Sequence, residues 1–392
     1  MDADAAIAVR LILAIGLSWV LTFTVGRRLI KLDWRGAGVV GGVCAGIALG
    51  PAVLGAMAPG WHERLNVGAV AEVQALENFR ISRAEDESAL AESGVSEVAV
   101  NEAIAQNDTH EAALAERIER ELERFVIQPM AVASSLGLIF LMLGCWMGFA
   151  PGIAGLRIGL LSGLIVALVW AVASRKLFGL GLAESVACGG VLAGGTCWSR
   201  GRWRWSVGLG SILMALVLLA VGGATRAAWT AGVAILLGSM LSWTSPLGLR
   251  AKRRWAFIAH AVLVPGVIAI VVSTCSVELA SAMFAFVMLA GVFSGDAHLF
   301  AGWLGISWLE SGRRQRFPAS AWLGVFEQGW AATSLVLVGL VFASGLIDPT
   351  TPAGGAVGLA VAAHAVSSEI KRPSTHRFMA VMRKAGNSTI QP

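Results

Sequence analysis

Few residues of this 392-residue chain are of a type that does chemistry inside an apolar run, and they can be taken one by one. Glu327 stands about eight residues into the apolar stretch 320–345, beside Gly329. A carboxylate there can hold a proton or a hard cation in alternation, and an unwound glycine backbone would add carbonyl ligands. Asp296 and His298 follow Ser294-Gly295 within the stretch 279–308. A histidine near a carboxylate titrates close to neutral pH and can relay or sense protons. Two shorter pieces in place of one long helix would instead leave both residues in a wet break. Thr196 closes a Gly194-Gly195-Thr196 run and offers a hydroxyl ligand. Glu184, four residues inside its stretch, can snorkel to the outer surface. Arg10 is the one basic residue within the first apolar stretch, and His260 and His364 are lone histidines of the packing kind. Ionisable groups at the bilayer centre cost about 2.5–3.5 kcal/mol on insertion scales, so those that persist face protein or a cavity.

The elements that must hold these residues are membrane helices. Hydrophobic residues make up 56% of the chain and charged ones 14%, with mean hydropathy +0.72, which excludes a soluble globular protein. Eleven stretches approach the length a helix needs to cross a bilayer: 6–26, 36–57, 130–149, 156–173, 180–198, 205–223, 227–245, 255–275, 279–308, 320–345 and 353–368. The 279–308 stretch is either long and tilted or broken near Gly295. No cleavage site follows the first stretch, which is read as a retained helix. Tyr is absent, and Trp146, Trp198, Trp203, Trp205, Trp243, Trp255, Trp303 and Trp308 near the stretch ends take the interfacial role.

Basic residues alternate between the connections. Arg27, Arg28, Lys31 and Arg35, then Arg157, Arg200, Arg202, Arg204, the 250–254 cluster, Arg313, Arg314, Arg316 and the basic tail 371–392 fall on one side. The positive-inside rule makes that side cytoplasmic and puts the N-terminus outside an inner membrane. The net charge of +5 is thus a topology signal, with no nucleic-acid partner implied. The five cysteines form no CxxC pair. No nucleophile–base arrangement or phosphate loop appears, so neither an enzyme nor a bound cofactor or metal is expected.

Residues 61–128 differ in kind, with fifteen acidic and six basic residues. Leu114, Ile118, Leu122 and Phe125 recur at helical spacing. Asp108 with Glu111, and Ser82 with Glu85, have the spacing of capping boxes. This acidic helical insert divides the chain into 1–60, 61–128, 129–370 and the tail 371–392. Its charge suits a solvated outer face or a cation-collecting vestibule.

The stretches divide as one helix and two groups of five. Ala45-Gly46 and Ala231-Gly232 open similar patterns in the second and seventh. A duplicated unit of five must insert with inverted topology, and transporters built this way bind substrate near the midplane between repeats. The fourth helix of each unit, 180–198 and 320–345, is the expected broken one.

The run Gly38-Val39-Val40-Gly41-Gly42-Val43-Cys44-Ala45-Gly46-Ile47-Ala48-Leu49-Gly50-Pro51-Ala52-Val53-Leu54-Gly55 resembles the second-helix signature of the monovalent cation/proton antiporter superfamily. Gly137 to Gly144, Pro265-Gly266-Val267, Gly324 to Ala331 and Gly345 to Pro349 agree with it in order. The resemblance implies a core with crossed broken helices, a scaffold that often dimerises, and exchange of Na⁺ or K⁺ for H⁺ by alternating access. Its usual ion-binding carboxylates would lie on 205–223, which holds no acid. Two expectations follow. One is exchange with Glu327, Asp296, His298 and Thr196 in the site; the other is a non-transporting sensor or scaffold that presents the insert to a protein partner. A third, a transporter of an organic or anionic solute on the same fold, would call for arginines buried mid-helix, and apart from Arg10 near the start there is none in the sequence.

Overall fold

A computed structural model describes residues 3–67, 70–92, 97–143, 153–194, 204–244, 254–255, 257–276 and 331–388. Among the described residues the chain is all-α, with no strand. Helix α1 (Ala3–Leu21) continues through a π-helical turn, Thr22–Leu29. Helix α2 (Trp34–Leu49) starts where the Asp33 carboxylate accepts a hydrogen bond from the Gly36 N–H at 2.9 Å, supplying one of the partners that first-turn amides lack. It stops at Gly50, whose backbone is extended, followed by Pro51, which has no N–H to give. A short helix α3 (Pro59–His62) and a π-turn, Glu63–Val67, lead out to α4 (Val70–Glu92) and α5 (Glu97–Leu122). The latter passes through a π-turn, Glu123–Ile127, into α6 (Gln128–Leu143).

The remaining helices are α7 (Ile153–Leu177), α8 (Leu182–Ala193), α9 (Arg204–Val221) and α10 (Thr225–Thr244). They are followed by α11 (Val264–Ser273, preceded by a π-turn at Ala259–Leu263), α12 (Ala331–Ala343) and α13 (Pro352–Ser388). Among the described residues five segments are long and apolar enough to cross a membrane: Ala5–Leu29, Trp34–Gly55, Val100–Met142, Gly159–Leu177 and Pro352–Ile370. Five shorter apolar helices accompany them: Leu182–Ala193, Gly208–Val221, Thr225–Leu241, Ala259–Ser273 and Ala332–Ala343. Each apolar stretch of the sequence except 279–308, which lies outside the described residues, thus carries a described helix.

Glycine decides how closely these helices approach. Gly38, Gly42 and Gly46 recur every fourth residue and line one face of α2. A side chain at Gly38 would meet the backbone carbonyl of His260. At Gly42 it would meet that of Pro265, and at Gly46 the side chain of Val272. Helix α11 therefore lies against the bare backbone of α2, the small-residue contact on which helix association in lipid depends. Every residue of α11 is buried, as is the run 332–341 of α12, so these two helices form the centre of the bundle. Helix α1 packs on both α2 and α11, α7 packs on α8 and α9, and α6 packs on α10, α11 and α12.

The acidic segment folds as a hairpin of α4 against α5. Arg83 bridges Asp108 at 2.9 Å and Glu111 at 2.8 Å, while Arg80 reaches Glu111 at 2.7 Å. These contacts correct two expectations. Asp108 and Glu111 lie in the middle of α5, and Ser82 and Glu85 in the middle of α4, so neither pair caps a helix. Arg80 and Arg83 hold the Glu111 carboxyl below its ordinary pKa, chiefly through the hydrogen bond from Arg80. The helical spacing of Leu114, Ile118, Leu122 and Phe125 does fall on α5 and its continuation, with Phe125 buried at the point of entry into α6.

Candidate functional site

The four residues expected to carry exchange, Thr196, Asp296, His298 and Glu327, lie outside the described residues. What the structure does give is the pair of helices that flank two of them. Helix α8 ends at Ala193 with Gly194 next, two residues short of Thr196, and α12 begins at Ala331, four residues after Glu327. The end of α8 meets the middle of α12, since a side chain built at Gly194 would run into Leu337. Glu184 proves to be a helix-start residue. Its Oε2 accepts the Gly181 N–H at 2.8 Å, which satisfies a backbone donor at the head of α8 and employs the carboxylate locally. His260 and His364 are both buried.

A cavity lined by described residues opens at another place, the rim where α2 breaks and α11 ends. It encloses about 370 Å³. Its walls are mostly apolar, with Met130 and Phe342 among them, and its polar residues are His62, Asn66, Ser273, Thr274, Ser276, Asp348 and Thr350. Five of them are held by local chemistry. Asn66 is buried and donates from Nδ2 to the Leu49 carbonyl at 2.8 Å, replacing an amide donor lost at the Gly50-Pro51 break. The Thr274 hydroxyl donates to the Val271 carbonyl at 2.7 Å, and that of Ser273 to Ile270 at 2.9 Å. Asp348, exposed at the mouth, accepts from both the N–H (2.9 Å) and the hydroxyl (2.7 Å) of Thr350.

Arg10, on α1, acts on the cavity-wall residue His62. It is 5% exposed, and its Nε, Nη1 and Nη2 all lack hydrogen-bond partners among the described residues. Helix α1 packs on the Glu63–Val67 turn, which brings Arg10 near His62. The Nε2 of His62 is likewise buried and without a partner among the described residues. The imidazole pKa is pushed down, first by burial and then by the Arg10 charge, while Glu63 pulls the other way. A buried guanidinium costs several kcal/mol unless a counter-charge meets it, and none does among the described residues, so this corner has the electrostatics of a site for an anion.

Arg10 was visible in the sequence as a lone charge in an apolar stretch. His62 and Asn66 were not, because they sit in the acidic segment and reach the cavity only when the chain turns back after α2. Glu369 was also missed. It is buried on α13, and a side chain at Gly36 would meet its Oε2, which places a second carboxylate by the head of α2 beside Asp33. Comparison with protein-family models, curated proteins and solved structures finds no match for the chain.

Proposed function

We propose that the protein is a secondary transporter that exchanges a monovalent cation, Na⁺ or K⁺, for protons by alternating access. In this reading it has eleven crossings, an outer N-terminus and a cytoplasmic tail in the inner membrane. The observation that carries it is a correspondence between packing pairs. The first unit of five would comprise α2, α6, α7, α8 and α9. The second would comprise α10, α11, the 279–308 stretch, α12 and α13. A two-fold relation between the units then requires contacts to come in matched pairs. Helix α2 on α11 is matched by α10 on α6, α2 on α13 by α10 on α9, and α12 on α13 by α8 on α9. The self-matched pairs, α8 with α12 and α6 with α11, also touch. The match is partial and fails at four places: α12 packs on α6, α11 and α10, and α13 packs on α11, whereas the counterpart pairs, α8 with α11, α6 and α2, and α9 with α6, do not pack closely. Paired units of this kind support a rocking transporter with its site between the repeats. The meeting of α8 with α12 beside Gly194 suits crossed, interrupted helices there.

The ion site in this proposal is made by Glu327 with Asp296, His298 and Thr196. The test is proton flux in liposomes holding the purified protein, read by an internal pH dye during pulses of Na⁺, K⁺ and Li⁺. Saturable, cation-selective flux that Glu327→Gln abolishes is expected. Flux retained in that variant removes Glu327 from the site. A flat trace from folded wild-type protein overturns exchange and favours the scaffold alternative, motivated by the acid-free 205–223 stretch, in which the α4–α5 hairpin serves a partner.

A further inference from the structure

Two buried polar groups at one corner of the fold lack hydrogen-bond partners among the described residues: the whole Arg10 guanidinium and Nε2 of His62. His62 is part of the wall of the rim cavity; Arg10 is not in the wall but lies behind His62, on the helix that packs against the Glu63–Val67 turn and near enough for its charge to act on the imidazole. A guanidinium offers a planar fork of N–H donors that matches the two oxygens of a carboxylate or phosphodiester. A neutral imidazole protonated on Nε2 offers a third donor. The rest of the wall is mainly apolar, with Leu122, Val126, Ile127, Met130 and Phe342, and is suited to hydrocarbon.

Two acids bear on this corner. Glu63 adjoins His62, and Asp348 stands at the mouth with its carboxylate already accepting two bonds from Thr350. A ligand of high negative charge would be repelled there, and a monoanion much less so.

We propose that Arg10 and His62 hold the oxyanion head of a monoanionic amphiphile, a carboxylate or a phosphodiester, whose apolar part fills the rim cavity. The site is separate from the cation site proposed above, and its test reads binding alone, so either proposal can fail without the other.

Two sources carry this chemistry, a free organic acid and an acidic lipid. The first arm titrates octanoate into protein in a neutral maltoside detergent and follows heat. The second compares nanodiscs of phosphatidylcholine with nanodiscs containing phosphatidylglycerol and follows thermal stability. Saturable octanoate binding assigns a free acid. Stabilisation only by phosphatidylglycerol assigns a lipid. No response in either arm overturns the proposal.

Arg10→Gln should weaken the responding ligand about tenfold to a hundredfold, the range for losing hydrogen bonds to a charged group. Arg10→Lys should recover part of the binding, because it keeps the charge and loses the fork. Unchanged affinity in Arg10→Gln overturns the assignment. Ligand-free Arg10→Met should melt no lower than wild type, since it removes a buried charge without a counterpart. A Met variant that unfolds makes Arg10 a structural residue and also overturns the proposal.

Discussion

Single residues at the broken end of α2 show how a polar group is admitted to an apolar bundle. Asn66 replaces a backbone donor at the Gly50-Pro51 break, and His62 sits where burial and the Arg10 charge together disfavour its protonated form. The pH consequence has a definite sign. The folded-state pKa of His62 lies below the ordinary 6.5, so the unfolded chain binds the extra proton first. The His62 contribution to stability is fully present above 6.5 and is lost as pH falls from there through the depressed pKa. Melting temperature should therefore rise with pH across that window, and His62→Gln should flatten the rise. Arg10→Met should flatten it only in part, because burial is the larger cause. Arg10 was legible as an isolated charge, but its partner residue was not. Nothing in the spacing of His62 and Asn66 within an acidic, exposed-looking segment reveals that the chain doubles back under α1.

Among the elements, α2 was the most legible, and for a physical reason. Its glycines recur every fourth residue, and that spacing is itself the contact surface for α11. The same run that carries the family resemblance therefore has a packing role of its own. A side chain at Gly42 would meet the backbone of Pro265, which cannot swing aside. Gly42→Val should destabilise the fold by about 1–3 kcal/mol, the range for overpacked cores, seen as a lower melting temperature of the purified protein. Gly16 gives the control, since a side chain there meets nothing within 4 Å and Gly16→Val should be close to neutral. The hairpin was less legible. A Ser or Asp followed three residues later by Glu has the spacing of a cap, yet it equally places two polar residues on one exposed face of a continuing helix. The arginines of α4 opposite Asp108 and Glu111 decide for the second, and that arrangement is tertiary.

At the scale of the molecule, the apolar stretches translate almost directly into helices because lipid leaves the backbone no other way to satisfy its own N–H and C=O groups. Helices α8 and α12 are described over Leu182–Ala193 and Ala331–Ala343, within the stretches 180–198 and 320–345, of which 195–198 and 320–330 lie outside the described residues. The contact between α8 and α12 can be tested by chemistry. In a background cleared of its native cysteines, Gly194→Cys with Leu337→Cys should cross-link in membranes through a short bifunctional reagent. Neither single variant should do so. A pair that stays unlinked while the protein is folded separates the two helices and removes the main support for crossed units.

The hairpin does not hang from the membrane domain by a loop. Val100–Met142 is one helical rod of 43 residues. At a rise of 1.5 Å per residue it is about 65 Å long, roughly twice the hydrocarbon thickness of a bilayer. Arg83 clasps α4 to its outer half, and Leu122, Val126, Ile127 and Met130 lie farther along it, in the wall of the rim cavity. The segment is a lever that carries α4 at one end and lines the cavity at the other. A sideways push on the hairpin reaches that cavity as a tilt, and a twist reaches it as a rotation of the wall, with only the π-turn at Glu123–Ile127 to absorb either.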